Sequence, residues 1–187
     1  MKLSYQPLTP SVWDDFSELF GKNGACAGCW CMYWRIPRKE FDKNKSPGNK
    51  RLMKELVDGG SVPGIIAYDG DTPVGWCAFA PREDYPALKR SRILKPVDDR
   101  EVWSISCFFV QRSYRGKHVA SALLKEAARQ AKMGGAKLLE GYPVEPKEGK
   151  RYPPAFAWHG VTKIFQSAGF EEVERRSPTR PIMRLEV

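Results

Sequence analysis

The residues whose types and spacing are best placed to do chemistry are Arg115, Gly116, Lys117 and His118, which fall between an apolar run and an amphipathic one. A glycine flanked by cations at a helix start makes an anion site. The first backbone N–H groups of a helix have no partner inside it and lie at the positive end of its dipole. Residues 115–121, which end in Val119, Ala120 and Ser121, would supply those groups. The same pattern also suits an ordinary strand–helix unit whose glycine eases a turn and whose cations are solvated. Two other phosphate loops are excluded: three spaced glycines are missing, and His118 follows Gly116-Lys117 where the nucleotide P-loop needs Ser or Thr.

A second group is Cys26-Ala-Gly-Cys29-Trp-Cys31-Met-Tyr-Trp-Arg35. Clustered thiols suggest zinc, but a closed tetrahedral site needs four ligands and the nearest histidine is His118, far along the chain. A redox pair through Cys26 and Cys29 lacks a thioredoxin-like setting. Packing is the remaining reading, since cysteine is among the most buried residue types, and Trp30, Tyr33 and Trp34 read as core or as the wall of a pocket. No metal is expected.

These groups need elements to position them. VWSISCFFV, residues 102–110, is rich in β-branched and aromatic residues and reads as a buried strand. After it, Val119, Ala120, Leu123, Leu124, Ala127, Ala128 and Ala131 mark one face of a helix that opens at about Gly116 and stops at Gly134-Gly135. Earlier in the chain, residues 3–8 read as an edge strand, and Thr9 or Ser11 can cap a helix that runs to about Phe20. Residues 47–58 read as a second helix. Residues 65–68 and 74–80 read as a hairpin across Asp69-Gly70-Asp71. Residues 81–99 read as a long basic loop, 137–144 as a strand, and 145–154 as a Pro- and Lys-rich loop.

At 187 residues and 42% hydrophobic, the chain fits one globular domain with a sizeable core. It has neither a run of the length of a membrane span nor a signal-peptide core at its N-terminus, which points to the cytoplasm and away from membranes. Five cysteines, an odd number, fit a reducing compartment. A net charge of +9 implies an anionic partner, either a phosphorylated cofactor or nucleic acid. The cations are spread along the chain and no nucleic-acid motif accompanies them, so nucleic acid is not expected.

Arg115-Gly116-Lys117-His118-Val119-Ala120, between a buried strand ending in Val110 and an amphipathic helix, resembles the pyrophosphate signature of the GNAT superfamily of acyl-CoA-dependent N-acetyltransferases. The match departs from the family at His118, where glycine is usual. A second resemblance is HGVTKIFQSAGFEEVER, residues 159–175, which is similar to the family's last helix and the strand after it. The resemblance implies a single α/β domain over residues 1–187. Its central sheet would be mixed but mostly antiparallel and twisted, with about six or seven strands flanked by about four helices, and splayed to admit coenzyme A. Residues 1–60 would form the acceptor side and 64–187 the acetyl-CoA-binding core.

The resemblance further implies direct transfer of an acetyl group from acetyl-CoA to an amine. Residues 115–121 would hold the diphosphate, the Phe108 backbone N–H would face the thioester oxygen, and Phe109 and Val110 would continue the cofactor edge, with Val110 pairing the pantetheine amides. Trp30, Tyr33 and Trp34 would line the acceptor site and hold an apolar or cationic acceptor. The family's usual acid, a tyrosine, is replaced by Phe165, and its usual glutamate base by Ser104. Tyr142 or Tyr152 as acid and Glu101 as base through water are the replacements, and His118 is a further candidate. A covalent role for Cys107 would need an activating base, and its sequence neighbourhood has none. The expected acceptor is a small-molecule amine. The alternatives are a peptide or protein amine, or a CoA-binding regulatory module with little catalysis, and a homodimer is compatible with any of these.

Overall fold

Strands form where the apolar and β-branched residues alternate or run together: β1 (Leu3–Pro7), β2 (Gly64–Asp69), β3 (Thr72–Pro81), β4 (Trp103–Val110), β5 (Leu138–Gly141), β6 (Glu171–Arg175) and β7 (Pro181–Glu186). The helices are α1 (Trp13–Phe20), α2 (Arg38–Lys43), α3 (Pro47–Asp58), α4 (Pro86–Lys89), α5 (Val119–Met133) and α6 (Thr162–Gln166). The structure is a computed structural model and describes residues 1–146 and 158–187. Among these, no helix is long and apolar enough to cross a membrane.

The seven strands make one sheet in the order β1-β2-β3-β4-β5-β7-β6. Its named strand pairs are antiparallel except β4 with β5. That parallel contact is short, joining Trp103, Ser104 and Ile105 to Leu139, Glu140 and Gly141. Beyond it the two strands part, and among the described residues no strand pairs with residues 106–110 of β4 on that side. The expected mixed, mostly antiparallel and splayed sheet is therefore present. β7, absent from the sequence reading, is inserted in space between β5 and β6.

Phe165 sits where β4 and β5 part. It is fully buried, and its ring meets Phe108 edge-on at 6.1 Å and Phe170 at 5.0 Å. The close approach requires Gly141, since a Cβ there would lie 2.1 Å from the Phe165 ring. α5 packs on this face and buries Val119, Leu123, Leu124, Ala127 and Ala131, the residues its periodicity selected. Each large side chain so buried contributes about 1.5–3 kcal/mol. The helix begins at Val119 rather than near Gly116, because Gly116 and His118 both take positive φ (78° and 61°) and keep the turn open until then.

The opposite face is covered by α1, α3 and the cysteine segment, with Phe16, Phe20, Trp30, Met53 and Trp76 in its core. Neither Thr9 nor Ser11 caps the backbone of α1. Their hydroxyls bond each other at 2.8 Å, and a short 3-10 turn (Pro10–Val12) leads into the helix. Residues 81–99 differ from the long basic loop read from the sequence. They carry a 3-10 turn (Arg82–Asp84) and α4, bury Tyr85, Leu88 and Leu94, and turn Arg82 inward.

Candidate active site

β4 carries the site. Its register against β3 slips between Ala78 and Phe79, leaving Ser106 as the extra residue of a β-bulge. The bulge is flanked on two sides: the Tyr85 phenol stands by the Ser106 hydroxyl, and the His159 ring by the Ser106 backbone. Arg35 in turn holds Tyr85, donating from Nη2 to its hydroxyl at 3.2 Å. Past the bulge, the backbone groups of Phe108 and Val110 point to the open edge, since the Gln111 N–H is directed to Val74 on the β3 side and strand groups alternate.

One end of this edge meets α5. The Arg115 guanidinium donates from Nε to the Val110 carbonyl at 3.1 Å and so ties the turn to the strand. Among the described residues no hydrogen bond engages the backbone N–H groups of residues 118–121, and no side chain caps the helix. Gly116, Lys117 and His118 are exposed around them, and the space over Gly116 is open. His118 is the residue before the helix, in the left-handed region that glycine adopts more easily. Residues 115–121 thus lie together, with the backbone N–H groups of 118–121 unspent.

The other end of the edge opens onto a cavity of about 220 Å³. Ser106, Cys107, Phe108 and Phe109 form its floor. Phe20, Tyr33, Trp34, Phe41 and Trp158 wall it, and Arg38 and Lys45 stand at its margin. Tyr33 is the hub of the wall, edge-on to Trp34 (4.8 Å), Phe41 (5.3 Å) and Trp158 (5.3 Å). Trp30, expected beside them, faces the other way: it is 2% exposed and packs with Phe16 and Phe20 in the core. Arg38, Phe41 and Trp158 were not found from the sequence. Arg38 and Phe41 lie on α2, whose RKEFDK composition shows little apolar periodicity.

The Phe108 N–H, expected to face a thioester oxygen, donates to the Trp158 carbonyl at 2.6 Å in this structure. Neither Glu101 nor Tyr142 is among the residues lining the cavity. Glu101 is exposed ahead of β4, at the end of the strand away from Phe108. Tyr142 is fully buried. Its hydroxyl donates to Glu140 at 2.7 Å, lies 2.8 Å from the Ser104 hydroxyl and also meets the Arg82 guanidinium. Burial, then the Glu140 charge, pushes its pKa well up, so the phenol stays protonated. Glu140, itself fully buried, is further held by Arg184 Nε at 2.8 Å and by Arg82. Tyr152 lies outside the described residues.

The thiols do not converge on a metal; among the described residues no group of three His, Cys, Asp or Glu could hold one. Cys31 and Cys107 pair with each other instead. The Cys107 thiol lies against Cys31 and donates to the Phe108 carbonyl at 3.8 Å, and Trp76 Nε1 donates to Cys31 Sγ at 3.2 Å. The contact with Cys107, then the bond from Trp76, hold the Cys31 thiol below its ordinary pKa, while the same contact and burial raise Cys107. Cys107, beside the bulge, is therefore a donor rather than a nucleophile. His159 is buried with its Nδ1 unpartnered, and its ring stacks on Trp158 at 3.6 Å. Burial first, and the Arg180 charge second, hold its pKa well below the usual value, so it is neutral.

The family model described as Acetyltransferase (GNAT) family matches residues 27–143. No curated protein sequence matches the chain. Among solved structures, PaiA N-acetyltransferase from Thermoplasma acidophilum in complex with coenzyme A is similar over 100% of both chains, at 14% identity and a TM-score of 0.55. An N-acetyltransferase from Staphylococcus aureus Mu50 is similar over 100% of this chain and 99% of its own, at 15% identity and 0.58. The NatC complex bound to Gag peptide and CoA is similar over 100% and 99%, at 12% and 0.56. At these identities the likeness is one of fold.

Proposed function

The chain belongs to the acetyltransferase (GNAT) family, and from that premise we propose that it moves the acetyl group of acetyl-CoA to the nitrogen of a small primary amine by direct attack. The observation that carries this reading is that two features share one strand edge. Unspent N–H donors and exposed cations stand at the start of α5, and an apolar, partly open cavity lies at the β4 bulge. The first fits a diphosphate. The second has room for a small acceptor.

Acetyl-CoA supplies an activated acyl thioester. The N–H groups of residues 118–121 and the side chains of Arg115 and Lys117 would hold its diphosphate, and the open edge at Val110 would pair its amides. The Phe108 N–H would serve the thioester oxygen in exchange for the Trp158 carbonyl it now meets. The aromatic wall around Tyr33 excludes water from the reacting atoms. Neither carboxylate nor imidazole is present among the described residues lining the cavity, so the proton leaving the amine is passed to water. Glu140 and Tyr142 hold β5 against β4 and take no part in the transfer.

Thermal unfolding with and without acetyl-CoA, followed by thiol release against a panel of amines, tests this reading. Ligand at about a hundred times its Kd adds about 2.7 kcal/mol. For a chain of this length that is a rise of roughly 5–10 °C. A rise with amine-dependent release supports the enzyme. A rise without release against a broad panel favours a CoA-binding module, and an unchanged midpoint rejects the assignment of residues 115–121.

A further inference from the structure

We infer that the acceptor is a small arylamine that carries a carboxylate, an inference that rests on the transfer reaction proposed above. The charge of the cavity is its first support. Its described lining holds two cations, Arg38 and Lys45, and no carboxylate. Both cations share one counterion: Arg38 Nε lies 2.8 Å, and Lys45 Nζ 3.1 Å, from Asp42. One positive charge is left over at the margin. The Arg38 guanidinium retains its other N–H groups for a planar, two-point partner, which a carboxylate is.

The aromatic wall is the second. Rings around a pocket often hold an ammonium through their faces. Here two of the wall rings already have a cation beside them: the Arg38 guanidinium lies 5.3 Å from the centre of Tyr33 and 5.6 Å from that of Phe41. An alkylammonium entering beside it would be repelled, and would lose its water with no described carboxylate to replace it. A ring without charge at the amine end meets neither difficulty and stacks on the same wall.

The third is proton chemistry. An alkylamine must shed a proton before it can attack, and the described lining offers no base for that. The nitrogen of an arylamine is neutral at physiological pH because its lone pair is shared with the ring. It forms the C–N bond directly, the C–S bond breaks with its electron pair going to sulfur, and one N–H proton passes through water to that sulfur to give CoA thiol. Size agrees: an apolar cavity of about 150 Å³ holds benzene, and this one is about 220 Å³.

The test is thiol release from acetyl-CoA with 4-aminobenzoate, aniline and benzylamine, on protein first shown to gain stability with acetyl-CoA. The expected order of kcat/KM is 4-aminobenzoate, aniline, benzylamine, with at least about tenfold between the first and last. Arg38→Gln should lower the value for 4-aminobenzoate about three- to tenfold and weaken its salt dependence, while aniline changes less than about twofold. Benzylamine leading the series, or Arg38→Gln affecting aniline and 4-aminobenzoate alike, overturns the inference and leaves the acetyltransferase reading intact. Absence of any acetyl-CoA stabilisation removes both. If none of the three amines is turned over, quenching of Trp34 and Trp158 fluorescence in the CoA-loaded protein decides. Tighter binding of 4-aminobenzoate than of benzylamine supports the inference, and equal or reversed affinity overturns it.

Discussion

Replacing Tyr142 by Phe separates a structural role from a catalytic one. The substitution removes a hydroxyl that donates to Glu140 at 2.7 Å, lies 2.8 Å from the Ser104 hydroxyl and meets Arg82. Glu140 keeps Arg184 and Arg82, so its charge is not stranded. Ser104 is fully buried and loses its partner. One unsatisfied buried hydroxyl costs about 1–3 kcal/mol. For a chain of this length the melting temperature should fall by roughly 3–10 °C. Loss of a general acid would instead lower kcat by about 10²–10⁴, whereas a purely structural Tyr142 predicts kcat/KM within about threefold of wild type at a temperature where both are folded. Alkaline pH gives an independent readout. The folded pKa of Tyr142 is raised by burial, so its contribution is complete below the ordinary tyrosine value of about 10 and is lost as pH climbs above it, where the unfolded chain ionises first. The stability gap between wild type and Tyr142→Phe, read from urea midpoints, should therefore narrow above about pH 10. A hundredfold fall in kcat with an unchanged melting temperature would refute the reasoning and return Tyr142 to the reaction.

Gly28→Ala should be severe. Gly28 has φ +70°, and a Cβ there would lie 2.4 Å from the Ser46 backbone nitrogen, so strain and a backbone clash together should cost about 2–4 kcal/mol in urea unfolding. His118→Gly should be nearly silent in stability, within about 0.5 kcal/mol. Relief of a left-handed histidine is offset there by the greater freedom of glycine in the unfolded chain. Calorimetry should show acetyl-CoA affinity unchanged or higher, and a tenfold loss would mean that the imidazole itself binds the cofactor. Burial raises the Cys29 thiol from an ordinary value of 9.0 to about 11. Its contribution is complete below about pH 9 and falls by about 2 kcal/mol as pH rises to about 11, a slope that Cys29→Ser should remove.

How much of this could be read from the chain depended on whether the signal was local. α5 announces itself because Val119, Leu123, Leu124, Ala127 and Ala131 repeat at the helical period, and all five are buried as the pattern requires. β4 and α3 were equally plain, the latter running from Pro47 to Asp58 as read. β7 was missed although it forms a hairpin with its neighbour β6; its place in the sheet is set by the other edge, which pairs with β5, far away in sequence. Trp30 and Trp34 look alike in the sequence, four residues apart in one aromatic run, yet the positive φ of Trp30 and Cys31 turns Trp30 into the core and leaves Trp34 on the cavity. Arg82 looked like one cation of a long basic loop, and its burial became visible only with Glu140, 58 residues on.

The sequence by itself determined the turn and helix at residues 115–133, because a helix start, its free N–H groups and its flanking cations are properties of a few consecutive residues. It also determined the family, through the order and spacing of those residues. Tertiary structure alone decided what lines the cavity. Arg38 and Phe41 of α2 meet Trp158, far away in sequence, at the cavity beside the β4 bulge. Tyr142 and Glu101 stay out of the cavity, and the Phe108 N–H has a partner. Such pairings depend on which distant segments are packed together and on where buried charge must find its counterion, and neither is written in local periodicity.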